Sequence, residues 1–138
     1  MDDEQAIVAL TVAYAWALDS KNYEELRAVF AADATAVLRG TDCHGVDAII
    51  ARISRPLDRL DATQHIVTNQ QVRVDGDVAT CRTQLQSQHV LRSVEGGDTF
   101  LIGGVYEDRL ERRAEGWRIV HRSLTQTWTA GNPAVIGR

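Results

Sequence analysis

The spacing of apolar and polar residues changes character once along the chain, near Thr63. Before that point the period is helical. Ile7, Leu10, Tyr14 and Ala17 recur on one face, with Val8, Val12 and Trp16 widening the stripe, which predicts an amphipathic helix from about Asp3 to Leu18. Asp2, Asp3 and Glu4 stand where acids favour a helix N-terminus. "DSKN" breaks the pattern, and "YEELRAVF" reads as a second, short helix. "ADATAVLRG" reads as a strand closed by Gly40, and "GVDAIIARISRPL" as a third helix that stops at Pro56.

Beyond Thr63 the period is that of strands. "QHIVTNQQVRV", "VATCRTQLQSQHVL", "TFLIGGVYEDRLERR" and "GWRIVHRSLTQTW" alternate, with hairpin signals in "DGD" at 75–77 and "EG" at 115–116. The tail "AGNPAVIGR" is loop-like. Helices followed by a meander imply an α+β fold: three N-terminal helices packed on one face of a strongly curved antiparallel sheet. Gly103-Gly104 inside a strand marks a bulge that bends it. Such a bend with helices on its concave side makes a cone around a cavity. Neither repeats nor a linker divide the chain, so 1–138 reads as a single domain.

Parity assigns side chains to faces. Ala79, Cys81, Thr83, Leu85, Ser87, His89 and Leu91 share one face, opposite the wet face of Thr80, Arg82, Gln84, Gln86 and Gln88, so His89 points inward. Arg122 shares parity with Val120, Leu124 and Trp128. His65 aligns with Val67, Asn69 and Gln71, while Ile66, Thr68 and Val72 lie opposite.

Composition narrows the function classes. The 138 residues are 44% hydrophobic and 25% charged, ordinary for a globular protein, with a formal net charge of −4. That balance argues against nucleic acid and anionic membranes as partners. Arg109, Arg112, Arg113, Arg118 and Arg122 are interleaved with Glu107, Asp108, Glu111 and Glu115, a pattern read as a mixed, solvated strand surface. Cys43 and Cys81 allow one disulfide on paper, although two separate thiols in a reducing cytoplasm is the preferred reading. The acidic start differs from a secretory signal, and no stretch is apolar enough to span a bilayer, so a cytoplasmic location is expected. The four histidines lack short metal-ligand spacing, and phosphate-loop, dinucleotide and Gly-x-Ser-x-Gly signatures are missing. Neither a metal nor a cofactor is expected.

"AYAWALDSKNYEELRAVFAADAT", the Gly45–Ile49 segment, "TQHIVTN", "VDGDVA", "GGVYEDRLER" and "GWRIVHRSL" occur in an order that resembles the SnoaL-like group of the nuclear transport factor 2-like superfamily. The resemblance runs through nearly the whole chain. It is closest to the scytalone- and bile-acid-dehydratase-like and dehydrochlorinase-like members, and it implies the NTF2-like cone. It also implies cofactor-free acid–base chemistry. In those branches an Asp at the end of the first helix pairs with a His at a strand start, here Asp19 and His65. A carboxylate on one ring nitrogen would fix the tautomer and let the other take a proton from carbon. Without the resemblance, the plainer reading prevails, Asp19 as a helix end and His65 as a strand-start histidine. Tyr14 lies five residues before Asp19, as in the steroid-type dehydratases, and is otherwise a core tyrosine. His89 matches a second cavity histidine, and Arg122 a cavity arginine that needs an anionic or carbonyl partner. Trp128 is expected as a pocket wall. Leu38 occupies the place where ketosteroid isomerases carry their base, which argues against isomerisation by that group and puts Leu38 among the substrate contacts.

The expected activity is dehydration of a hydroxyl β to a carbonyl in a hydrophobic, steroid-like or polyketide-like ring. Polyketide cyclisation or isomerisation with the same pair is one alternative. A non-catalytic binding or assembly module, with Arg82, Gln84, Gln86 and Gln88 in a hydrated homodimer or higher-oligomer interface, is the other.

Overall fold

The computed structural model describes residues 1–137. Helix α1 spans Asp3–Asp19. Its first turn is closed by a capping box, in which the Asp2 carboxylate accepts from the Gln5 N–H at 2.8 Å and the Gln5 side chain accepts from the Asp2 N–H at 3.0 Å. Ile7, Thr11, Tyr14, Ala17 and Leu18 form the buried face. Val12 and Trp16 do not widen it as expected. They are 41% and 69% exposed, because the helix docks through a narrow stripe. A 3₁₀ segment, Tyr23–Ala28, takes the place of the second helix.

Helix α2 spans Val46–Asp58 and runs through Pro56 instead of stopping there. A proline in a helix leaves the carbonyl four residues back without its usual donor. Here that carbonyl belongs to Arg52, and it accepts instead from Arg39 Nη2 at 2.8 Å. An outside donor has replaced the missing N–H, so the helix continues for two more residues.

The strands are β1 (Phe30–Leu38), β2 (Thr41–His44), β3 (Ala62–Asp75), β4 (Val78–Val90), β5 (Thr99–Arg113) and β6 (Gly116–Gly131). They form one sheet in the order β2-β1-β6-β5-β4-β3. It is mixed rather than antiparallel throughout, since β1 runs parallel to β6. Nor is it strongly curled into a cone: β2 and β3 remain as edges at opposite ends, and the helices cover one face.

Three bulges decide which side chains turn inward. Asn69 adopts a left-handed φ of 55° where the β3–β4 register shifts, so the inner set is Thr63, His65 and Val67, then Gln70 and Val72. Asn69 and Gln71 therefore do not align with His65. In β6 the register shifts at Val120, placing Trp117 and Ile119 with Arg122 and Leu124 on the inside. A further shift at Thr127, opposite Gly103-Gly104, turns Trp128 onto the outer face. The expected kink is present, but its extra residue lies on β6. Trp128 crosses directly over Gly103, where a Cβ would collide with the indole, and a Cβ on Gly104 would strike the Thr125 carbonyl.

Indole and backbone differ in how far they can yield, so the two glycines should respond differently. Gly104→Ala is expected to destabilise the fold by about 1–3 kcal/mol in urea unfolding. Gly103→Ala should cost clearly less in a Trp128→Ala background than in the native one. Additive costs in that double-mutant cycle would show that the indole does not occupy the space.

Candidate functional site

Asp19 is the last residue of α1, where a carboxylate opposes the helix dipole. Its surroundings offset that penalty. Oδ2 accepts the His65 backbone N–H at 2.8 Å, and Oδ1 accepts the Thr63 hydroxyl at 3.0 Å and His65 Nδ1–H at 2.7 Å. Burial raises the Asp19 pKa, but the hydrogen bonds from His65 and Thr63 outweigh it, and the carboxyl ends below its ordinary range. With Nδ1 committed to a carboxylate, the neutral His65 ring carries its lone pair on Nε2. Its side chain is 5% exposed and lines a pocket between the helices and the inner sheet face.

His89 sits across from it, with ring centroids 6.1 Å apart. Its Nδ1 lies 2.9 Å from the Phe100 carbonyl, which can only accept, so Nδ1 carries the proton and Nε2 again holds a lone pair. Burial, helped by the charges of His65 and Arg39, lowers the His89 pKa against the pull of the Phe100 carbonyl. Tyr14, Leu38, Tyr106, Ser87, Leu85 and Gln126 complete the inner wall. Ile53, Leu57, Leu60 and Ile136 close the helical side, and Arg39 is also part of the lining. The free volume is about 80 Å³.

The structure thus brings Asp19, His65, Tyr14, His89 and Leu38 to one place. Arg122 and Trp128 do not line this pocket. Trp128 lies on the opposite sheet face, for the reason given above. Arg122 is 1% exposed and sits behind the lining, where Nε and Nη2 form a two-pronged pair with the Asp108 carboxylate at 2.7 and 2.8 Å. Its guanidinium carbon stacks 4.0 Å from the Tyr106 ring centroid and 4.3 Å from that of Tyr14. Burial works against the Arg122 charge and Asp108 more than offsets it, so its pKa is raised. In turn Tyr14 meets Tyr106 edge-on at 5.4 Å and Phe30 at 6.1 Å. The Tyr106 phenol is pushed well up, by burial first and then by the neighbouring Tyr14.

Asp108 escaped the sequence reading because the charges around it alternate in sign and look solvated. One signal was present: Tyr106, Asp108 and Leu110 share strand parity, which places an acid in an apolar row. Tyr106 and Arg39 were also missed. Cys43 and Cys81 are both buried free thiols. Among the described residues, no helix is long and apolar enough to cross a membrane.

Two expectations follow from these burials. Replacing only one member of the Arg122–Asp108 pair, by Arg122→Met or Asp108→Asn, should cost roughly 3–5 kcal/mol, because the partner charge is left stranded. The double variant should recover much of that loss in denaturant unfolding. The second concerns acid. The folded state resists protonation of His89 whereas the unfolded chain accepts a proton near pH 6.5. Stability from this group is therefore complete above that value and declines as the pH falls toward the lowered folded pKa. Melting temperatures measured from pH 7.5 to 5 should fall less steeply for His89→Asn than for the native chain.

The chain is 32% identical over 145 residues to the terrestric acid biosynthesis cluster protein E of Penicillium crustosum, a match covering 100% of this chain and 92% of that protein. Solved structures with the same fold include a scytalone dehydratase-like protein from Novosphingobium aromaticivorans (TM-score 0.81, 24% identity, 98% of this chain and 93% of that one). LinA is another, with TM-score 0.83 and 20% identity over 94% of this chain and 89% of LinA. At these identities the structural likeness establishes the fold alone. The SnoaL-like domain pattern matches residues 1–123, and the chain belongs to the SnoaL-like family.

Proposed function

We propose that the protein is a cofactor-free acid–base enzyme that eliminates water from a small cyclic compound bearing a hydroxyl β to a carbonyl. The observation that carries this reading is the 2.7 Å contact between Asp19 Oδ1 and His65 Nδ1, made by a histidine that lines the pocket. His65 Nε2 takes the proton from the carbon between carbonyl and carbinol, and Asp19 stabilises the imidazolium that forms. The Tyr14 hydroxyl supports the developing enolate oxygen. As the C–O bond breaks and the C=C bond forms, the imidazolium returns its proton to the departing hydroxide, so water leaves and His65 is neutral again. His89 offers Nε2 as an acceptor for the substrate hydroxyl. Arg122 acts from behind, holding Tyr14 through ring stacking.

The mainly apolar lining of Leu38, Ile53, Leu57, Leu85 and Ile102 suits a small hydrophobic ring. Ring closure of a polyketide through the same proton abstraction is the second reading. It draws on the similarity to a terrestric acid biosynthesis cluster protein. The reading as a passive binding module is less favoured, because it gives no account of an imidazole that lines the pocket with its far nitrogen held by a carboxylate.

The test uses 3-hydroxycyclohexanone, whose loss of water to cyclohexenone is followed by ultraviolet absorption. The native protein should accelerate it, and His65→Gln should lower kcat/KM by about 10²–10⁴-fold. Asp19→Asn and Tyr14→Phe should reduce kcat more than they raise KM. A His65→Gln variant as active as the native chain would sink the mechanism. Deuterium exchange next to the carbonyl of cyclohexanone, without elimination from the hydroxy ketone, would shift the reading to ring closure.

A further inference from the structure

Among the described residues, six polar or charged ones are buried: Thr11, Thr83, Ser87, His89, Asp108 and Arg122. Five of them reach a protein partner. The Thr11 hydroxyl donates to the Val8 carbonyl at 2.7 Å, and the Thr83 hydroxyl meets the Cys81 thiol at 3.6 Å. His89 holds the Phe100 carbonyl, and Asp108 and Arg122 hold each other. Ser87 is 4% exposed, and its hydroxyl has no partner among the described residues. An unmade hydrogen bond in such a place is destabilising, and alanine would fill the same space without one. Packing therefore gives no reason for serine here, but position does. Ser87 lines the pocket, as the cross-strand neighbour of His65 and two residues before His89 on the same face of β4. The His65 N–H donates to Asp19 and not to β4, so His65 and Ser87 form the type of pair whose side chains come closest. Nδ1 is committed in both histidines, which leaves a lone pair on each Nε2. Two acceptors thus stand beside one hydroxyl that can donate.

We propose that Ser87 is a further catalytic residue, whose hydroxyl donates to the oxygen that departs during elimination. The proposal rests on reading the pocket as a dehydratase site. In that reading His65 takes the proton from the carbon next to the carbonyl, and the hydroxyl on the adjacent carbon directs its O–H to His89 Nε2. The oxygen between these two carbons' partners then lies between the imidazoles, whose centroids are 6.1 Å apart, and in front of Ser87. As the C–O bond breaks, its electron pair moves to that oxygen, and the bond from the Ser87 O–H strengthens with the growing negative charge. The proton that completes the water comes from the His65 imidazolium, so Ser87 keeps its own.

The test compares the native protein with Ser87→Ala and Ser87→Thr. Ser87→Ala removes a hydroxyl that bonds to nothing in the fold, so its melting temperature should equal or exceed the native one. In calorimetric titration the native protein should bind 3-hydroxycyclohexanone more tightly than cyclohexanone, and Ser87→Ala should shrink that preference by about fivefold. In turnover of the hydroxy ketone, Ser87→Ala should lower kcat by about 10–10²-fold, and Ser87→Thr, which restores the hydroxyl, should recover part of the loss. Deuterium exchange into cyclohexanone, which has no leaving oxygen, should fall much less than elimination does. A preference unchanged in Ser87→Ala, an exchange rate that falls as far as elimination, or a melting temperature lowered by several degrees would each overturn the proposal. Its outcome is separable from that of the mechanism. A preference lost in Ser87→Ala supports the contact with the hydroxyl even where His65→Gln retains full turnover. A preference untouched in Ser87→Ala removes the proposal even where His65→Gln abolishes turnover.

Discussion

The Asp19 carboxylate ties the end of α1 to the start of β3, and the geometry of the site depends on it. β3 is an edge strand, so the N–H groups on its outer side lack a ladder partner. One of them, on His65, is taken by Asp19, and the same carboxylate holds the His65 ring and the Thr63 hydroxyl. A single group thereby sets the position of the strand, the tautomer of the ring and the approach of the helix. The arrangement has a cost, because a negative charge at a helix C-terminus faces the wrong end of the dipole. Three donors outweigh that cost, which accounts for the direction of the Asp19 pKa.

A second constraint lies deeper. Arg122 and Asp108 are both about 1% exposed in their side chains, and a buried pair of this kind seldom adds net stability over an apolar substitute. Its value here is geometric. The Arg122 guanidinium stacks on Tyr14 and Tyr106, and each ring meets the other at its edge. A hydrophobic replacement could fill the space but would not present a planar cation to two ring faces. Tyr14 is thus fixed from behind while its other side belongs to the pocket wall.

The first helix, the number of strands after Thr63 and the contact of Asp19 with His65 could be read from the sequence because they rest on local period and on family resemblance. Face assignment could be read only up to the first bulge. In β4, which has none, the alternation from Ala79 to His89 holds residue by residue. In β3 and β6, one extra residue at Asn69, Val120 or Thr127 reverses everything beyond it. Trp128 is the clearest casualty: same parity as Arg122 in sequence, opposite face in space. Sequence periodicity carries no marker for Val120 or Thr127, since their bulges arise from how β6 fits β5. Pro56 misled for a related reason, because the donor that rescues its helix comes from Arg39, across a hairpin. Asp108 was lost to averaging: its neighbours Glu107 and Arg109 do face outward, and only strand parity separates it from them.

These features share one electrostatic plan. The charges that could disturb a proton transfer stand one layer back, Asp19 behind His65 and the Asp108–Arg122 pair behind two tyrosines. Among the described residues, Arg39 is the only permanently charged side chain in the lining. In such a low-dielectric layer an interaction with a charge that appears during reaction is much stronger than in water. An imidazolium formed on His65 would meet the waiting carboxylate of Asp19. That positive charge would thus arise next to a fixed, largely buried carboxylate already held by three donors, so little of the surrounding structure has to reorganise at the moment of proton transfer.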